Sequence, residues 1–143
     1  MCTRITLLFA DSKELHQVAT WYYEQWDSKR VNSSVSDVIA KLSSTDQRLG
    51  FTVHFNEQLA GAAEIKFMNG RCWLDGVYVD GHFRGKGLAE ELVNFAKQQA
   101  TERGWSSLNL KCEPDLIALY QKYGFAVFDT RDGKSLMTCK LMP

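Results

Sequence analysis

Proline is nearly missing from this chain, and so is an excess of charge of either sign. Pro114 and Pro143 are its only prolines. No Pro-, Gly- or Ser-rich stretch divides one part from another, so the sequence offers no linker and no second domain. Lys plus Arg and Asp plus Glu number 17 each, for a formal net charge of zero. No global field therefore steers the chain onto nucleic acid or an acidic membrane surface. No apolar run approaches the roughly 20 residues that cross a bilayer, and Met1 to Ala10 is too short and too polar for a signal peptide. Cys2, Cys72, Cys112 and Cys139 form no CxxC and have no histidine at metal-ligand spacing. They read as reduced structural thiols with no metal. The absences together predict a cytoplasmic protein without nucleic-acid or membrane partners.

An apolar fraction of 45% and a charged fraction of 24% are ordinary for a globular chain. At 143 residues such a chain buries a core without disulfide staples, and one domain over 1–143 is expected. Residues 3–9 alternate and then turn apolar, as a first strand does. Asp11 to Glu14 reads as a capping box, followed by Leu15, Val18, Ala19, Tyr22 and Trp26 at helical spacing. A second helix is expected over 36–42, after a polar link over 27–34. Phe51, Val53 and Phe55 mark a strand, 56–58 a turn, and 59–68 the next strand. Asn69-Gly70, the strongest hairpin dipeptide in the chain, leads into a third strand over 71–79.

A helix is expected over 88–103, with Leu88, Leu92, Phe95 and Gln99 or Ala96 on its stripe and Gly104 as its stop. A strand follows over 105–112, and the crossover makes it a parallel neighbour of the 73–79 segment. Pro114 suits the first turn of a short helix that ends at Gly124. A hairpin over Arg131-Asp132-Gly133 closes the chain. The fold class is α/β: a mixed, mostly antiparallel sheet with one parallel pair, flanked by helices.

The most telling stretch is Val79-Asp80-Gly81-His82-Phe83-Arg84-Gly85-Lys86-Gly87-Leu88-Ala89. A strand that breaks through glycines into a helix leaves free backbone N–H groups at the positive end of the helix dipole, a place for phosphate. A plain Gly-rich strand-to-helix connection is the bland alternative. Two nucleotide motifs fail. A Walker A loop needs four residues between its glycines and a hydroxyl after Gly-Lys; here three separate Gly81 from Gly85, and Gly87 follows Lys86. A dinucleotide GxGxxG places its third glycine where Glu90 stands.

Arg84-Gly85-Lys86-Gly87-Leu88-Ala89 does match Arg/Gln-x-x-Gly-x-Gly/Ala at each defined position. This resembles the pyrophosphate loop of the GNAT superfamily of acyl-CoA-dependent N-acyltransferases. The resemblance covers nearly the whole chain. It includes the element order and the segment Leu119-Tyr120-Gln121-Lys122-Tyr123-Gly124-Phe125, which is similar to the family's Tyr-x-x-x-Gly-Phe signature.

The resemblance implies a donor, acetyl-CoA, whose pyrophosphate is held by Arg84, Gly85, Lys86, Gly87, Leu88 and Ala89. It also implies that the pantetheine arm pairs with the backbone of Val77 and Val79, where the parallel strands splay. Tyr120 matches the family's general acid, able to protonate the departing thiolate. Asp75, placed by the two-residue period on the face of Val77 and Val79, is the first candidate base, with Glu64 and His82 as alternatives. Glu113 stands seven residues before Tyr120, where many relatives carry an Asn that contacts the cofactor.

The acceptor site in this family is usually built by the first two helices and the final hairpin. Those segments supply Trp21, Tyr22, Tyr23, Trp26, Asp129 and Asp132. Trp21 and Tyr23 leave the main stripe of the first helix, either to pack on the second or to flank an amine. The implied activity is acetyl transfer to a primary amine of a small, cationic molecule. A protein N-terminal or lysine acetyltransferase is the alternative, and so is a non-catalytic acyl-CoA-binding module. A homodimer is left open.

Overall fold

The computed structural model describes residues 2–44 and 47–142. Within the expected 1–143 unit, Met1, Thr45, Asp46 and Pro143 thus lie outside the described residues. In chain order the elements are β1 (Thr3–Leu8), α1 (Leu15–Gln25), α2 (Val35–Ser43), β2 (Arg48–Phe55), β3 (Gln58–Met68), β4 (Arg71–Val79), α3 (Leu88–Glu102), β5 (Ser107–Cys112), α4 (Ile117–Lys122), β6 (Ala126–Arg131) and β7 (Lys134–Lys140). The strands form one seven-stranded sheet in the order β1-β2-β3-β4-β5-β7-β6. Among the described residues only the β4–β5 pair is parallel.

Local chemistry accounts for much of this order. Asn56 and Glu57 have φ of 49° and 70°, and Asn69 and Gly70 have 54° and 71°. A tight two-residue hairpin needs that left-handed pair, so β2, β3 and β4 run as a meander. The α3 crossover makes β5 parallel to β4. In the last hairpin β6 is exposed at every residue, whereas β7 buries Ser135, Leu136 and Met137 in succession. The strand able to bury both faces takes the inner place beside β5, and β6 becomes the edge.

Each face of the sheet carries its own layer. Ala63 and Ile65 of β3 join the core under α3, which buries Leu88, Leu92, Val93, Ala96 and Ala100. Between Ala96 and Gln99, Ala96 takes the buried place. Ala62, one residue along and so on the opposite face, packs with Leu8, Val18, Ala19, Tyr22, Val38 and Leu42 under α1 and α2.

The expected capping box at Asp11 does not form. The residue before α1 is Glu14, which makes no side-chain cap, and its carboxylate lies 3.3 Å from Nε2 of the buried His54. A tertiary contact has taken the side chain that a box would turn back. The capping box that does form belongs to α2, between Ser34 and Asp37. Among the described residues no helix is long and apolar enough to cross a membrane. No group of three His, Cys, Asp or Glu side chains among them is placed to hold a metal ion.

Candidate active site

β4 and β5 pair only at Trp73↔Asn109 and Leu74↔Leu110. Beyond Leu74 the β5-facing edge of β4 has no strand partner. A bulge sits at the same point. Glu64 pairs with Asp75 and Ala62 with Tyr78, so Gly76 and Val77 together face Ala63 alone. Gly76 supplies the φ of 63° that the bulge requires, and its N–H donates to Asp75 Oδ1 at 2.9 Å.

The extra residue inverts the alternation. Cys72 and Leu74 lie in the α3-side core, and Val77 and Val79 pack against that same core. Tyr78 packs against the α1 side. The expectation that Asp75 shares a face with Val77 and Val79 is therefore wrong. Asp75 belongs to the α1 face, with Glu64 and Lys66, because the bulge intervenes before Val77.

Where the strands part, a groove of about 280 Å³ opens. It is lined by Val77, Val79, Arg84, Ala89 and Tyr120, residues from the strand, the loop, the start of α3 and α4. All five are positions that the family resemblance nominated. Gln25, Trp26 and Tyr78 form its rim on the α1 side, and Leu116, Leu119 and Tyr123 part of the opposite wall.

The loop holds two left-handed glycines, Gly85 at φ 78° and Gly87 at φ 76°. Gly87 caps α3 without a side chain, and the first α-helical bond runs from Glu91 N–H to Gly87 C=O. The N–H groups of Leu88, Ala89 and Glu90 thus start the helix with no intrahelical acceptor. Leu88 turns its side chain into the core, 1% exposed, so only its backbone faces an anion. Arg84 Nε donates to Val79 C=O at 3.2 Å. Lys86 sends its ammonium over the Phe55 ring, 5.1 Å from the centroid, rather than into the groove.

Tyr120 is half-buried between the Tyr123 and Phe125 rings, at 6.1 and 5.9 Å. Burial pushes its phenol up to about 12, with further upward pushes from Cys112, Tyr123 and Asp75. The phenol therefore stays protonated across the physiological range. A departing thiolate has a pKa near 8.5, so full proton transfer to it from such a phenol runs uphill by about 5 kcal/mol. The group acts best as a hydrogen-bond donor that strengthens as charge grows on sulfur.

The candidate bases differ sharply. Asp75 is half-exposed and its Oδ2 lies 2.6 Å from Lys66 Nζ. Glu64 is buried, at 4% exposure. Its oxygens lie 3.6 Å from Arg48 Nε and 3.6 Å from Lys66 Nζ, and Oε2 has no hydrogen-bond partner. Burial raises the Glu64 carboxyl pKa and outweighs the downward pull of Arg48 and Lys66, while Asp75 adds to the rise. His82 is almost fully exposed and turned to Asp80, with Nδ1 at 3.0 Å from Oδ2. Glu113 pairs with Lys134 at 3.7 Å. None of these four lines the groove.

Aromatic rings crowd the α1 rim. Trp21 stacks on Tyr78 at 5.1 Å, and Trp26 meets Tyr78 edge-on at 6.5 Å. Trp21 thus reaches the sheet at the groove mouth. The Tyr78 phenol is raised by burial first, then by Asp80; Arg84 opposes, and Glu24 adds to the rise. Asp129 and Asp132 stay at the exposed far hairpin, where Asp129 accepts from Thr130 N–H and Asp132 takes the left-handed turn position. Sequence spacing missed Tyr78, Gln25 and the bulge. One signal was available, since a glycine inside a strand marks a bulge or a close backbone approach, and Gly76 is such a residue.

A model of the acetyltransferase (GNAT) family matches residues 14–125. No curated protein matches the sequence. Several solved structures share its fold. The PaiA N-acetyltransferase of Thermoplasma acidophilum in complex with coenzyme A is 19% identical over 98% of this chain and 99% of that one, with a TM-score of 0.72. The aminoglycoside 6'-N-acetyltransferase of Enterococcus faecium is 16% identical over 98% of each chain, with a TM-score of 0.77. A ribosomal-protein alanine N-acetyltransferase of Escherichia coli is 21% identical over 99% of this chain and 96% of that one, with a TM-score of 0.74.

Proposed function

The chain belongs to the acetyltransferase (GNAT) family, and on that premise we propose that it moves the acetyl group of acetyl-CoA directly to a primary amine of a small, cationic molecule. The observation that carries the reading is convergence. The free edge of β4 at Val77 and Val79, the loop residue Arg84, Ala89 at the head of α3 and the Tyr120 phenol all line one groove. The pyrophosphate fits the N–H groups from Gly85 to Ala89, with Arg84 as the nearby charge. The PaiA relative was solved with coenzyme A, which supports the same donor here.

In the transfer, the amine lone pair attacks the acetyl carbonyl carbon, the C–S bond breaks, the amine gives up a proton and the thiolate gains one. Tyr120 serves the sulfur side, its O–H donating a hydrogen bond that strengthens as charge grows on the departing thiolate, and the proton the amine gives up balances the one the thiolate gains. Asp75 serves the amine side as base, once the arriving ammonium competes with Lys66 for it; Glu64, next to it across the strands, is the alternative. A cationic acceptor suits the rim, where the Tyr78 ring, met edge-on by Trp26, feels the Asp80 and Glu24 carboxylates.

The test is an amine panel with acetyl-CoA, read as free thiol release. Polyamines and basic amines are expected to raise turnover most. Activity only on neutral or acidic amines overturns the cationic acceptor, and preference for a peptide N-terminus or lysine replaces the small molecule with a protein. Tyr120→Phe separates an enzyme from a mere acyl-CoA-binding module. It is expected to lower kcat by about 100-fold, the low end for a positioned acid, with CoA affinity kept. Unchanged turnover in that variant removes Tyr120 from the chemistry.

A further inference from the structure

Behind the β4 bulge stands a side chain that the transfer reaction does not yet use. A Cβ built on Gly76 would lie 2.9 Å from both Cζ and Oη of Tyr22, and 3.2 Å from its Cε2. Those contacts are too short for any side chain, so the Tyr22 ring rests directly on the strand backbone. Tyr22 is 7% exposed and is held edge-on by Trp26 at 5.4 Å. It comes from α1, the helix whose last residue Gln25, with the following Trp26, rims the groove.

Gly76 also lies two residues past the last β4–β5 pair, where β4 gains one residue against β3. Removing the extra residue from the bulge would slip the strand by one place. Each side chain beyond it would then cross to the other face, and Val77 and Val79 would leave the groove wall. A left-handed glycine opposite one alanine does not by itself hold such a bulge, because glycine accepts many conformations. The rigid ring pressed on it does.

The geometry points to Tyr22 as a positioning residue for acyl transfer: wedged on Gly76, it fixes the bulge that presents the Val77–Val79 backbone to the acyl arm. This assignment rests on the acetyl-transfer reading above. It divides the cofactor's binding in two. The nucleotide end depends on the 84–89 loop, which Tyr22 does not touch, and the reacting end depends on the bulge.

The experiment measures CoA affinity by calorimetry and steady-state transfer for the full chain carrying Tyr22→Ala, Tyr22→Phe or Gly76→Ala. A fourth variant, Val18→Ala, removes a fully buried α1 side chain of the same cluster and reports loss of helix packing alone. Tyr22→Ala and Gly76→Ala are each expected to lower kcat at least tenfold and to raise the CoA Kd by clearly less than that, since the loop keeps its hold on the pyrophosphate. Tyr22→Phe, which keeps the ring, is expected to recover most of the kcat. Val18→Ala is expected to lower Tm with kcat within twofold. Should Tyr22→Ala be too unstable to assay, Tyr22→Leu, which removes the ring and keeps apolar bulk, carries the decision with the same tenfold loss expected, since alanine at Gly76 is strained at φ 63° whatever the ring does.

A kcat within twofold of wild type in Gly76→Ala overturns the proposal. So does a Tyr22→Ala loss matched by Val18→Ala, or a Tyr22→Phe as impaired as Tyr22→Ala. Wild-type protein that neither binds CoA nor releases thiol overturns the acetyl-transfer reading itself, and the proposal with it.

Discussion

Among the charged side chains, Glu64 is in the least comfortable position. Its carboxylate is buried between Arg48 and Lys66, but Lys66 is shared with Asp75. Two cations therefore serve two anions, and the cluster is neutral overall. Neutrality does not repay desolvation, which is the largest influence on Glu64 and raises its pKa above the ordinary 4.5. The sign of the pH dependence follows. Below 4.5 the carboxyl is protonated folded and unfolded, and burial carries no ionic penalty. As pH rises from there to the raised folded value, the unfolded chain releases its proton first, so Glu64's contribution to stability falls and then levels off. The stability of wild type minus that of Glu64→Gln, from urea unfolding between pH 4 and 8, should decline over that window. A flat or rising difference would show that Arg48 and Lys66 win over burial.

At the scale of elements, a single residue in β4 decides which face each later side chain occupies. Hairpin dipeptides, the crossover and the Gly-rich loop are written locally, so the sequence reads them correctly: Asn69-Gly70 and Gly87 do as their backbones require. The face of Asp75 is not local, because the period of two holds only while the β3–β4 register does, and the register shifts beside Ala63. The start of α1 was illegible for a similar reason, since His54 is 40 positions away from Glu14 in the chain and takes its carboxylate.

The loop glycines allow a clean comparison. Gly87 and Gly70 have φ of 76° and 71°, and a Cβ on either meets nothing within 4 Å. Alanine at either position costs about 1–2 kcal/mol of backbone strain, so Gly87→Ala and Gly70→Ala should lose similar stability. Only the first places a methyl where an anion approaches the α3 amides. Calorimetry should find the CoA Kd raised at least tenfold in Gly87→Ala and unchanged in Gly70→Ala; equal affinities would move the pyrophosphate away from this loop.

On the scale of the whole molecule the sheet is two half-sheets, β1–β4 and β5–β7–β6, joined by two paired positions of β4 and β5 and by α3 beneath them. The sequence shows the crossover that joins them but not the place of β7 between β5 and β6. A hairpin fixes that its two strands are neighbours, not which of them meets a third. That choice went to the strand whose Ser135, Leu136 and Met137 are all buried, a property of the assembled core. A sheet joined so narrowly gains from a ligand that lies in the gap. CoA bound along the β4 edge binds the folded state alone, so at about 100 times its Kd it should add roughly 2.7 kcal/mol, or roughly 8–10 °C in Tm for a chain of this size. The groove's residues come from both half-sheets, Val77 and Val79 from one and Tyr120 from the segment after β5. The gain should therefore appear as one cooperative transition shifted upward by tryptophan fluorescence and circular dichroism alike. Melting curves that coincide with and without CoA would remove the donor from the groove, and curves that split by probe would show that the ligand stabilises one half-sheet without the other.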